Sequence, residues 1–163
     1  MNLIESAPEW AFYGFVAILV LAALQDGWKL TISNLLTGGL LLLGIVVAFM
    51  SGIELAIWQN VAVLLAILFA GAQLHSMGWM GGGDVKLLGA AGFWFSAMGA
   101  LHMIIAVVLG GGVLTIIVLS IRMIVGSAKE GAIGVIRKGS GMPYGIAIAA
   151  GAVGMAAYVR DLI

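Results

Sequence analysis

VKLLGAAGFWFSAMGALHMIIAVVLGGGVLTIIVLSIRMI, residues 85–124, carries Lys86 and Arg122 as its only formal charges. A single helix needs about 20 apolar residues to cross a bilayer, so a run of this length is too long for one passage. It reads as two crossings with a turn near Ser96-Ala97-Met98-Gly99. Outward from it, polar breaks delimit further apolar stretches at 8–25, 35–53, 55–75 and 142–160, with the central pair taken as 85–101 and 103–124. The expected fold is an all-α polytopic membrane protein of about six transmembrane helices. Short loops make residues 1–163 a single integral membrane domain.

Composition agrees. The chain is 63% hydrophobic and 9% charged, with a mean hydropathy of +1.21, whereas soluble domains run at about 45–50% apolar and about 25% charged. Such an excess of apolar surface needs lipid as its solvent. A net charge of zero and no cysteine exclude a nucleic-acid binder, a disulfide scaffold, a zinc-thiolate site and a cysteine nucleophile. Met1-Asn2-Leu3-Ile4-Glu5 lacks the basic start of a signal peptide, so the first apolar stretch is expected to stay as a span.

Basic residues orient membrane helices toward the cytoplasm. With both termini outside, Lys29, Lys86, Arg122, Lys129, Arg137 and Lys138 fall inside and Arg160 alone falls outside. The expectation is therefore N-out and C-out. Glu5, Glu9, Glu54 and Asp161 lie on the outer side in that arrangement. Asp26 and Asp84 lie at the cytoplasmic ends of the first and fourth stretches, and Glu130 in the basic cytoplasmic segment.

A carboxylate at the hydrocarbon boundary costs a few kcal/mol unless paired or hydrated, which makes it a mark of function. Asp84 closes Gly78-Trp79-Met80-Gly81-Gly82-Gly83-Asp84, and its glycines let backbone approach where other residues cannot. Two carboxylates in one partly desolvated site share a proton. The ionised member can take a proton from water while the protonated one polarises a peptide carbonyl. That chemistry needs neither metal nor cofactor. The same acids also suit a small proton-coupled transporter or channel subunit, and Asp at a helix end beside Lys29 or Lys86 suits a plain cap or ion pair. A scaffold without chemistry is the third reading.

Three segments narrow these alternatives. Gly81-Gly82-Gly83-Asp84-Val85-Lys86-Leu87-Leu88, with Met80 before it, resembles the G-x-G-D motif of membrane aspartic proteases, in the form found in type IV prepilin peptidases. Asp26, with Ile32 and Asn34 following, is similar to that family's first motif, with Ser33 where the family usually has Pro. Met142-Pro143-Tyr144-Gly145-Ile146-Ala147-Ile148-Ala149-Ala150-Gly151 resembles its last-span motif. Lacking both Cys and a soluble insertion, the chain looks like the short peptidase of tight-adherence (Flp) pilus systems, without the N-methylation domain of larger relatives.

The resemblance implies an aspartic endopeptidase in the bacterial inner membrane, with its active site at the cytoplasmic face. It would remove leaders from Flp-type pilin or pseudopilin precursors held in membrane lipid. Asp26 and Asp84 are the catalytic residues it implies. Supporting positions are Gly81 and Gly83, which admit backbone near Asp84, Asn34, which orients a carboxylate or caps a helix, Lys86, which tunes an acid or anchors at headgroups, and Pro143, Tyr144 and Gly145, which open the last span. Ser33 is expected to replace Pro by capping the following helix.

Elsewhere, structural roles suffice. Trp10, Trp58, Trp79 and Trp94 are expected at span ends as an aromatic belt. His75 and His102 are read as interfacial polar residues, and the nine Met as packing. Gly38-Gly39 and Gly110-Gly111-Gly112 are read as close helix contacts, or as room for a substrate helix. The segment from Arg122 to Gly141 is expected to be an amphipathic or mobile cytoplasmic stretch touching anionic lipid.

Overall fold

A computed structural model describes residues 1–52, 55–125 and 142–161. Every regular element among them is helical: α1 (Leu3–Ser6), α2 (Glu9–Lys29), α3 (Asn34–Met50), α4 (Ile57–Ser76), α5 (Gly82–Gly92), α6 (Ala97–Val125) and α7 (Tyr144–Val159). The basic segment with Lys129, Arg137 and Lys138 lies outside the described residues, as does Glu54.

Among the described residues, α2, α4 and α6 are long and apolar enough to cross a membrane, while α3 and α7 are apolar but shorter. Their outward faces carry Leu35, Phe49, Phe69, Val108 and Ile116, all exposed. Side chains of this kind around the whole perimeter fit a hydrocarbon solvent, not water. This is an all-α membrane protein.

The fourth apolar stretch departs from the sequence expectation. In place of one helix over 85–101 there is an 11-residue α5, then a break at residues 93–96, then α6 from Ala97. At about 1.5 Å per residue, α5 is about 16 Å long, half a bilayer core. The break falls a few residues before the expected turn because polar groups inside the bundle meet it there. Asn60 of α4, fully buried, points its Nδ2 at the carbonyls of Phe93 (2.8 Å), Phe95 (3.1 Å) and Met1 (3.0 Å). Two amide hydrogens thereby serve three acceptors, two of them carbonyls at the interrupted helix. The Leu3 N–H adds a bond to the Trp94 carbonyl at 3.0 Å, so α1 plugs the same break.

Trp94 is accordingly not part of an interfacial belt. It is fully buried, its ring centroid 4.9 Å from that of Phe15, and its indole N–H donates to the Leu40 carbonyl at 3.1 Å. Trp10, Trp58 and Trp79 do stay exposed. The short α5 packs against α3, α4 and α7, burying Val85, Leu87, Ala90 and Ala91. It comes close to α4 because Gly71 leaves room for Val85, where a Cβ would sit 2.5 Å from a Val85 methyl. The glycine pairs expected to serve helix contact mostly do not: Gly38, Gly39, Gly110 and Gly112 face open space, and only Gly111 meets another helix, at Ala147 and Tyr144.

Candidate active site

Asp26 and Asp84 reach the interior from opposite kinds of helix end. Asp26 lies in the last turn of α2 and is 3% exposed. Asp84 lies in the first turn of α5 and is 6% exposed. They are the only buried acids among the described residues.

The C-terminal end of a helix offers carbonyls, which repel a carboxylate. Asp26 is held instead by another helix. Gly145, at the second position of α7, donates its free backbone N–H to Asp26 Oδ2 at 2.8 Å. This is one of the donors a helix start leaves unpaired, and the positive end of the α7 dipole lies behind it. The contact requires glycine, because a Cβ at 145 would lie 2.9 Å from both Asp26 Cβ and Asp26 Oδ2. Of the last-span motif, Gly145 therefore meets the acid directly, while Pro143 sets the start of α7 and Tyr144 occupies its first turn.

Asp84 sits three residues into its own helix and turns back toward the Gly81 N–H. A Cβ at Gly81 would lie 2.7 Å from Asp84 Oδ2. The other oxygen, Oδ1, is buried without a hydrogen-bond partner among the described residues. An orphaned carboxylate oxygen in such a place is costly unless it carries a proton or receives a ligand. Asp84 lies outside the three long apolar helices. Burial, and secondarily the nearby Asp26 charge, push its carboxyl up to about 7, against the opposing Gly81 N–H.

Between the two acids runs the segment from Leu30 to Asn34. Leu30 adopts φ 54°, a left-handed conformation uncommon for Leu, and closes α2 with its N–H on the Asp26 carbonyl at 2.8 Å. Ile32 then fills the gap between motifs. A Cβ on Gly83 would sit 3.1 Å from Ile32 Cβ, and one on Gly145 would sit 2.9 Å from Ile32 Cδ1. Ser33 caps α3, its Oγ accepting from the Leu36 N–H at 3.4 Å. Its backbone N–H donates to Gln25 Oε1 at 3.2 Å.

Three expectations are revised or extended here. Lys86, at an exposed position, donates to Asn34 Oδ1 at 2.8 Å. Asn34 does not cap α3, because Ser33 fills that role and leaves the Asn34 amide to Lys86. His75 is more than an interfacial polar group, since its Nδ1 lies 2.9 Å from the Met80 carbonyl, just before the glycine run.

Sequence reasoning missed Gln25 and Asn60. The signal for Asn60 was present, as an amide inside an apolar span is costly without partners. Gln25 had no such mark. Among the described residues no three His, Cys, Asp or Glu side chains gather as a metal site would need.

A family model described as the type IV leader peptidase family matches residues 13–119. The match includes both acids and the Lys86–Asn34 contact, whereas Gly145 joins the site through the geometry alone. No curated protein and no solved structure matches the chain.

Proposed function

Because the chain belongs to the type IV leader peptidase family, and is thus a protease of the leader-cutting kind, we propose that it is an aspartic endopeptidase whose Asp26 and Asp84 remove the leader from pilin precursors. The observation that carries this reading is the pairing of the buried acids. Both carboxylates are buried, Ile32 lies against the glycines beside each, the Asp26 charge helps raise the Asp84 carboxyl, and Asp84 Oδ1 has no partner among the described residues. No ion-conducting arrangement is needed to explain them, so the transport reading has no support of its own.

The roles follow from the hydrogen bonds. Asp26, held by the α7 N-terminus, is the ionised partner and takes a proton from water. Asp84 keeps its proton and donates it to the scissile carbonyl oxygen. The water oxygen bonds to the carbonyl carbon, giving a neutral tetrahedral intermediate. Collapse breaks the C–N bond, a proton passes to the leaving nitrogen, and the pair returns to one shared proton. Because the pair titrates as a unit, these roles describe its dominant arrangement.

The substrate fitting this site has a short leader ahead of an apolar helix that stays in the bilayer, as Flp-type pilins and pseudopilins would. In a bacterial inner membrane of six crossings, N-out and C-out, Lys29 and Lys86 share the cytoplasmic side with both acids. Membranes carrying the wild type should shorten such a precursor, while Asp26→Asn and Asp84→Asn, each still inserted, should lose the cut by at least about a thousandfold. Cleavage by either variant at a rate near wild type overturns the assignment.

A further inference from the structure

The segment between Asp26 and α3 touches both acid-bearing neighbourhoods, through Ile32 against Gly83 and against Gly145. It enters with Leu30 in a left-handed conformation, which surrounding contacts must sustain. Two side-chain hydrogen bonds fix its far end. Gln25 Oε1, accepting from the Ser33 N–H, ties the segment back to its own helix. Lys86 Nζ, donating to Asn34 Oδ1, reaches across to α5 from a position 52 residues away in sequence. The bond is charge-assisted and lies two residues beyond Asp84. Asn34 is free to accept it because Ser33 caps α3.

We propose that the Lys86–Asn34 hydrogen bond is a clasp that fixes the Leu30–Asn34 segment against α5 and thereby sets the separation of Asp26 and Asp84. Lys86 and Asn34 are then positioning residues, which touch neither the water nor the scissile bond. The inference rests on the reading of the two acids as the catalytic pair. It differs from a role for Lys86 in gripping substrate or lipid, because the clasp makes Asn34 equally necessary.

The cysteine-free chain permits a direct test. Thr31→Cys and Met77→Cys, both at exposed positions, are spin-labelled in the full chain in lipid vesicles, and the label separation is read by pulsed EPR. The separation should be narrow in the otherwise unaltered chain and broad in Lys86→Ala and in Asn34→Ala. Asn34→Asp, which keeps an acceptor for the ammonium, should restore the narrow distribution. With a leader-bearing pilin precursor as substrate, either Ala variant should lower kcat about tenfold while KM stays within about twofold, since misplacing reacting groups costs turnover more than binding. The double Ala variant should be no slower than either single one.

Unchanged label separations in both Ala variants overturn the clasp. So does normal cleavage by Asn34→Ala beside slow cleavage by Lys86→Ala. If the separations respond as expected but the wild type cuts no precursor, the clasp stands and the leader-cutting reading falls.

Discussion

Asp26 ends a long helix and Asp84 begins a short one, and the two ends solve opposite electrostatic problems. The close of α2 presents carbonyls, so Asp26 depends on an amide borrowed from α7, contributed by Gly145 from 119 residues along the chain. The start of α5 presents its own amides, so Asp84 is carried by Gly81 within its own turn. The borrowed contact is long-range and meets Asp26 at Oδ2. The local one is cheap to build and leaves Asp84 Oδ1 without a partner among the described residues. In the proposed mechanism, distant packing holds Asp26 as the base and local geometry leaves Asp84 as the proton carrier.

Among changes that spare both acids, disturbing the borrowed contact should have the largest effect. Gly145→Ala places a methyl 2.9 Å from Asp26 Oδ2 and from Ile32 Cδ1, so the α7 start must shift. Displacement of about 1 Å at a reacting group costs about a hundredfold, and cleavage should fall by that order while the chain still inserts. The equivalent change on the local side, Gly83→Ala, meets Ile32 Cβ at 3.1 Å and its backbone N at 3.3 Å. These approaches are longer than those at Gly145, so a smaller shift relieves them, and a fall of about tenfold is expected in the same assay.

A third change separates site from frame. Asn60→Ala leaves the Phe93 and Phe95 carbonyls without the amide that meets them. Loss of about 1–3 kcal/mol is expected, read as a lower unfolding temperature in detergent. Because α5 is seated by that break, cleavage should fall at elevated temperature first. The smallest effect belongs to Ser33→Pro. Ser33 has φ −72°, which a pyrrolidine ring accepts, so the change forfeits only the cap and the bond to Gln25. Stability should change by no more than about 1 kcal/mol, and cleavage by less than about threefold. That outcome would explain how this chain tolerates Ser where its relatives usually have Pro.

The same contrast decides what could be read from sequence. Asp26 and Asp84 are visible there because charge at a hydrocarbon boundary is costly wherever the chain goes. The helices are visible because a bilayer fixes their length and composition. Contacts that depend on one element meeting another are not. Nothing in Pro143-Tyr144-Gly145 says that the Gly145 amide faces Asp26, and nothing near Lys86 says that it meets Asn34. Trp94 illustrates the limit from the other side. Its position near an apparent span end suggested an interface, but the span is broken there and the ring turns inward, where Gly44 leaves space for it. Residues 85–124 are continuous in hydropathy, so only the buried Asn60 tells where the helix stops.

The central claim is that Asp26 and Asp84 form one unit, and the proton on Asp84 tests it without any substrate. A protonated carboxyl reacts with a hydrophobic carbodiimide, and an ionised one does not. Asp84 in the wild type should label below neutral pH and stop labelling as pH rises through about 7. Part of that elevation comes from the Asp26 charge, so Asp26→Asn, which removes the charge and keeps the shape, should move the midpoint to lower pH. An Asp84 midpoint identical in wild type and Asp26→Asn would mean that the two acids do not sense each other, and the paired-carboxylate account would be wrong.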